Sequence, residues 1–150
     1  MNDFATNIGM ILKQKNGSIA STRPDASVYQ AIEMMAEKRV GALLVMESGV
    51  LLGIISERDY ARKVILQGKS SKITRVKDIM TSPVVSVTPE TSVDECMRIM
   101  TSRRIRHLPV LEGDNVAGMI SIGDLVKWII SSHEQTINDL HSYIAGSYPR

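Results

Sequence analysis

A single cysteine, Cys96, excludes an internal disulfide and leaves no ligand cluster at a zinc spacing. Aromatic residues make up only 4% of the chain, too few for a surface that stacks bases. The net charge is +2, too small to argue for nucleic acid or for an anionic membrane as a partner. The longest apolar run, Val40 to Met46, falls far short of a membrane span. The start, MNDFATNIGM, lacks a basic region followed by an apolar stretch and a cleavage site, so a cytoplasmic location is expected. Of three histidines, His133 and His141 fall in the C-terminal stretch and His107 stands alone. No nucleophile lies beside a base at a recognisable spacing, and no Gly-rich phosphate loop ending in Lys-Ser/Thr is present, so catalysis is not expected. What remains is a chain of 150 residues, 43% hydrophobic and 23% charged, of the globular class. That length suits one ordinary domain or two small intimate ones.

Laid along itself, the chain repeats at one offset. Pro89 lies 65 positions after Pro24, and the same offset joins Ser27 to Ser92, Met35 to Met100, Arg39 to Arg104 and Leu43 to Leu108. It continues through Gly53 and Gly118, Ser56 and Ser121, and Asp59 and Asp124, with no gap between Ile19 and Asp59. A period this long, written twice, predicts two half-domains about a pseudo-two-fold axis rather than a solenoid.

Each copy has the same grammar. An extended piece (Ile19 to Thr22; Val84 to Val87) precedes a Pro-x-x-Ser helix start, Pro24 to Ser27 and Pro89 to Ser92. Val28, Ala31, Ile32 and Met35 then fall on one helical face, as do Val93, Cys96, Met97 and Met100. Two hairpins follow: Ala42 to Met46 with Val50 to Ile55, and His107 to Leu111 with Val116 to Ile120. A second helix begins at the serine of GIISERD in copy one and of GMISIGD in copy two. The order is strand, helix, strand, strand, helix, twice. Val76 to Met80 reads as a helical turn leading into the second copy, with Ile8 to Leu12 in the same role for the first. The last helix runs to about Ile144, with Val126, Ile130, His133, Ile137, Leu140 and Ile144 as a stripe.

Ser-x-x-Asp before an apolar run is a helix capping box, and that structural reading is sufficient for either copy alone. A second reading comes from its place. A strand running directly into a helix N-terminus presents backbone N–H groups to an anion. The serine adds a hydroxyl for a phosphate, and the aspartate offers two acceptor oxygens to a vicinal diol such as that of ribose. The grammar therefore fits a nucleoside phosphate, with the base against the apolar strand.

Those residues resemble a tandem pair of CBS domains, the regulatory arrangement called a Bateman module. The resemblance runs from about Ile8 to about Trp128. It rests on the two Gly-apolar-x-Ser-x-x-Asp elements, the Ser-Val-x-x-Ala/Cys helix starts, and Arg106-His107-Leu108-Pro109-Val110. It implies an α/β (α+β) fold of two β-α-β-β-α repeats with a long C-terminal helix. The repeats are expected at residues 8–68 and 76–130, a linker at 69–75, and a helical extension and tail at 131–150.

The resemblance also implies two clefts between the repeats that take adenosyl ligands. One would use Ile54, Ser56, Arg58 and Asp59, with the base against Pro83, Val84 and Ile105. The other would use Met119, Ser121, Gly123 and Asp124, with Ile19, Ala20, Val40 and Gly41. The aspartates would hold ribose, the serines phosphate, and the apolar residues adenine.

Before its hairpin, copy one has Gly41-Ala42 where copy two has Arg106-His107. A guanidinium there neutralises phosphate, so the Ser121/Asp124 cleft is the expected site if only one fills. Arg103 and Arg104 read as a solvated helix end, and burial without ligand contact suits His107 equally. Few basic residues converge on either cleft, which favours AMP or NAD over ATP. Met34, Met35, Met97 and Met100 read as core filling, with Cys96 inert beside them. Trp128 and the stripe after it cover the module's flank or pair with a second copy, and a homodimer is expected.

The expected function is a non-catalytic sensor of adenosine nucleotides. With no second domain to regulate, its output goes to a regulated partner protein or to its own dimer, and neither nucleic acid nor membrane is an expected partner. A structural dimerisation module with empty clefts and a weak nucleotide-hydrolysing enzyme are the alternatives.

Overall fold

A computed structural model describes residues 6–15 and 19–141, with side chains described through residue 133. The chain forms two compact units. One comprises Met1–Asn16, Val87–Leu108 and Met119–Arg150; the other comprises Gly17–Ser86 and Pro109–Gly118.

In the second of these, β1 (Ser21–Thr22), β2 (Ala42–Glu47) and β3 (Val50–Ser56) make a three-stranded sheet in that order. β1 runs parallel to β2, with Ser21 opposite Leu44, and β2 runs antiparallel to β3, with Val45 opposite Gly53. The β2–β3 turn has Ser48 and Gly49 both at positive φ, the pair of left-handed residues that matches strand twist in a two-residue hairpin. α2 (Val28–Lys38) starts at Ser27, whose hydroxyl accepts from Gln30 N–H while the Gln30 side chain accepts from Ser27 N–H. It ends on Arg39 in the left-handed conformation. Val28, Ala31 and Met35 on α2 meet Leu43, Val45 and Ile55 from the sheet in one buried core.

That core also takes Val76 and Ile79 from α4 (Val76–Ile79). The turn expected to lead into copy two is therefore built onto copy one. Val76 N–H donates to Ala26 O at 2.9 Å and Lys77 N–H to Pro24 O at 3.0 Å. The Pro-x-x-Ser corner leaves carbonyls that need donors, and the first N–H groups of a helix lack intrahelical acceptors.

The other unit repeats this contact with α1 (Ile8–Gln14). Ile8 N–H donates to Thr91 O and Gly9 N–H to Pro89 O, both at 2.9 Å. α5 (Val93–Arg103) begins at Ser92, which caps Glu95 N–H, and ends on left-handed Arg104. Its Val93, Cys96 and Met100 are buried, as are Ile8, Leu108, Ile120 and Leu125. Met35, Met100 and Cys96 are thus core residues, and Met34 and Met97 are half-buried beside them.

The copies part in two places. β4 (His107–Glu112) and β5 (Asn115–Ser121) form a two-stranded sheet, and the extended piece Val84 to Val87 makes no third strand. In copy one, Leu44 N–H donates to Ala20 O at 3.1 Å. The position 65 residues on is Pro109, which has no N–H to give. The second helix of copy one is a short α3 (Glu57–Tyr60) followed by a π-helical turn at Ala61–Ile65, whereas copy two has the 20-residue α6 (Ile122–His141). On α6, Val126 is 41% and Ile130 50% exposed. Ile144 of the expected stripe lies outside the described residues, and the side chains of Ile137 and Leu140 lie outside the described side chains.

Candidate functional site

Both signature elements form the capping box. In copy one, β3 passes into α3 at Ser56 with no loop between. Ser56 N–H donates to Asp59 Oδ2 at 2.9 Å, and Asp59 N–H donates to Ser56 Oγ at 3.2 Å. The Ser56 hydroxyl also donates to Asp59 Oδ2 at 3.1 Å. In copy two, Ser121 N–H donates to Asp124 Oδ2 at 2.8 Å, and Asp124 N–H to Ser121 Oγ at 3.1 Å. A further bond repeats at the same offset: Glu57 N–H donates to Gly41 O at 3.0 Å, and Ile122 N–H to Arg106 O at 2.8 Å. The first and third N–H groups of each helix are therefore already satisfied within the protein, which leaves fewer backbone donors for an anion. Each aspartate carries one oxygen on its own main chain.

Each aspartate also holds an ammonium, and here the corners differ. Lys63 Nζ lies 3.1 Å from Asp59 Oδ1 and donates to Ile79 O at 2.9 Å. Lys63 belongs to the π-helical turn four residues after Asp59. In copy two the corresponding residue is Trp128, whose indole N–H is buried without a partner among the described residues. The cation comes from Lys15 instead, just past α1. Its Nζ lies 2.8 Å from both Asp124 Oδ2 and Met119 O.

Burial pushes the Asp124 carboxyl up, but the Lys15 hydrogen bond, the Ser121 N–H and the Lys15 charge together hold it below its ordinary value. Burial lowers the His107 pKa, and Lys15 lowers it further; Asp124 pulls it up, and Arg106 again lowers it. His107 is therefore neutral at neutral pH and supplies no cation to the corner. Burial, then Glu95, raises the Cys96 thiol to about 11, consistent with an inert core residue.

The expected site residues divide between the units. Ile54, Ser56, Arg58, Asp59, Pro83, Val84, Ile19, Ala20, Val40 and Gly41 lie in one; Ile105, Arg106, His107, Met119, Ser121, Gly123 and Asp124 lie in the other. Ile54 has both backbone groups paired to Thr81, at 3.1 and 2.9 Å, so its strand edge is closed to a base. Gly53 permits that approach: a Cβ there would lie 2.8 Å from Thr81 O and from Met80 Sδ. Pro83 and Ile19 are exposed, and Val84, Ala20, Val40 and Ile105 half-buried. Arg106 and Gly123 are exposed, beside half-buried Ser121 and Asp124. Sequence reasoning missed Lys63, Thr81 and Lys15. The spacing of Asp59 and Lys63 is a readable helical ion pair. Lys15 stands 109 residues from Asp124, and no local pattern joins them.

Among the described residues no three His, Cys, Asp or Glu side chains gather to hold a metal ion, and no helix is long and apolar enough to cross a membrane. Residues 16–65 and 76–131 each match the CBS domain family. A CBS domain-containing protein of Arabidopsis thaliana, CBSX3, described as mitochondrial, is 44% identical over 96% of this chain and 74% of its own length. A solved structure of a CBS-domain protein from Burkholderia ambifaria, ascribed to signal transduction, is 53% identical with a TM-score of 0.82, covering 84% of this chain and 95% of that one. A hexameric CBS-CP12 protein from bloom-forming cyanobacteria is 28% identical with a TM-score of 0.73, covering 97% and 91%.

Proposed function

The chain belongs to the CBS-domain family, and on that premise we propose that it is a non-catalytic regulatory module that binds an adenosine nucleotide at its Ser-x-x-Asp corners. The observation that carries this is the duplicated corner: a strand edge, a serine and an aspartate at a helix start, with the same three hydrogen bonds in both copies. AMP or NAD fits better than ATP, because the basic side chains nearest the two carboxylates, Lys63 and Lys15, are already paired with them. The Ser121/Asp124 corner is the stronger candidate, since exposed Gly123 and Arg106 flank it. A bound ligand shifts the module toward whichever arrangement holds it better, and a partner protein or a second copy reads that shift. Self-association is supported by the hexameric relative and by exposed Val126 and Ile130 on α6; a homodimer is the proposed unit. The proposed location is the cytoplasm. With a mitochondrial relative, the organelle is the alternative that cell fractionation reads.

The test is a thermal melt of the full chain with AMP, NAD and ATP, with mass spectrometry of the recovered nucleotide. A ligand at about 100 times its Kd adds about 2.7 kcal/mol of stability. Stabilisation with intact nucleotide supports the sensor; turnover means an enzyme. A second reading, a structural dimerisation module, is favoured by the capping bonds themselves, which account for both signatures without a ligand. No shift with any adenosyl compound establishes it.

A further inference from the structure

We propose that Lys15 is a tethered occupant of the Ser121/Asp124 corner, holding in the free protein the acceptors that a nucleoside would take. This rests on the reading of that corner as an adenosyl site. The lysine touches two residues expected to bind ligand. Its Nζ is 2.8 Å from Asp124 Oδ2 and 2.8 Å from Met119 O. A ribose hydroxyl and an amino group on a base edge are donors of the same kind as an ammonium N–H. A ligand using the Asp124 oxygen and the strand carbonyl therefore displaces Lys15.

The other copy shows why a side chain is needed here. The position matching Met119 is Ile54, whose N–H and C=O are both closed by the Thr81 backbone. Backbone pairing of that kind leaves no role for a mobile cation at the strand edge. In copy two the Met119 carbonyl is met by Lys15, whose side chain is 44% exposed and follows the last residue of α1. An ion pair this open to water is weak and readily exchanged. The same ammonium ties α1 to the start of α6, so ligand entry and the anchoring of the end of α1 are mutually exclusive. Binding is thereby converted into release of the Lys15 end of α1, while its start stays held by Thr91 and Pro89.

The probe is adenosine, which has the diol and the base without a phosphate that Lys15 could follow. Calorimetry compares the full-length wild type with Lys15→Met, Lys15→Gln and, as a control, Lys13→Met. Circular dichroism confirms folding of each. Both Lys15 variants should bind adenosine about two- to fivefold more tightly, and Lys13→Met should match wild type. In parallel, saturating adenosine should raise acetic anhydride labelling of Lys15 and leave Lys13 unchanged. If wild type binds adenosine while the Lys15 variants bind equally or more weakly, or Lys15 labelling does not rise, the tethered-occupant proposal is overturned and the corner reading stands. If no variant binds any adenosyl compound, the corner reading itself fails, and Lys15 reduces to a structural ion pair.

Discussion

The two Ser-x-x-Asp corners are copies in their local bonds and strangers in their long-range ones. Both close the same capping box, and both helices take their first backbone acceptor from the residue 16 positions before, Gly41 or Arg106. Beyond that, corner one is sealed by a neighbour in sequence and by the segment just past α4: Lys63 on Asp59, and Thr81 on Ile54. Corner two relies on Lys15, brought in by a helix at the opposite end of the chain. Duplication of sequence duplicated what a few consecutive residues can make. It did not duplicate the source of the cation on each aspartate, so the second corner is the one whose seal can be exchanged.

The strongest way to break the comparison is at the shared core. Leu43 and Leu108 are both fully buried at matching positions, so Leu43→Ala and Leu108→Ala should each cost about 2–5 kcal/mol. Equal losses in urea unfolding sharpen the likeness; a several-fold difference ends it. Next is the seal of corner one. In Gly53→Ala the new Cβ meets the Thr81 carbonyl and Met80, which should cost about 1–3 kcal/mol and speed hydrogen exchange at Ile54 and Thr81. Unchanged exchange there would mean the bridge is not held by that close approach.

Smaller effects separate the caps. Ser56→Ala and Ser121→Ala each remove one cap acceptor and should cost about 0.5–2 kcal/mol in a thermal melt. Because α6 is far longer than α3, the fraying seen by hydrogen exchange should stay within the first turn of α6 for Ser121→Ala but reach all of α3 for Ser56→Ala.

The smallest effect is electrostatic. The Asp124 carboxyl is held below its ordinary value of 3.8, so its contribution to stability is present above that pH and is lost as pH falls through the folded-state value. Lys15→Met removes a hydrogen bond and a charge that, with the Ser121 bonds, hold the carboxyl down against burial, so an NMR titration should find the Asp124 pKa raised. No change on that substitution would detach Lys15 from the corner.

Much of this was legible in order. The offset located both helix starts, both hairpins and both Ser-Asp elements, because capping and turn chemistry depend on residues three or four apart. Even the left-handed ends at Arg39 and Arg104 fall at matching positions. The strand expected at Val84 to Val87 is reduced to a single bridge residue, Val87, and the position matching Leu44 carries Pro109, which has no N–H to give a third strand. The helical turn at Val76 opens the second family match yet packs on the first copy, since a short apolar turn does not declare which corner its first N–H groups will meet.

The sequence by itself determined the repeat, the fold class and the two capped strand-to-helix corners, all written in short-range hydrogen bonds. Tertiary structure alone decided that α4 closes the first copy and α1 the second, and that a lysine 109 residues away sits on Asp124. The physical reason is that unsatisfied carbonyls and carboxylates accept from any donor the folded chain delivers, and only packing determines which donor arrives.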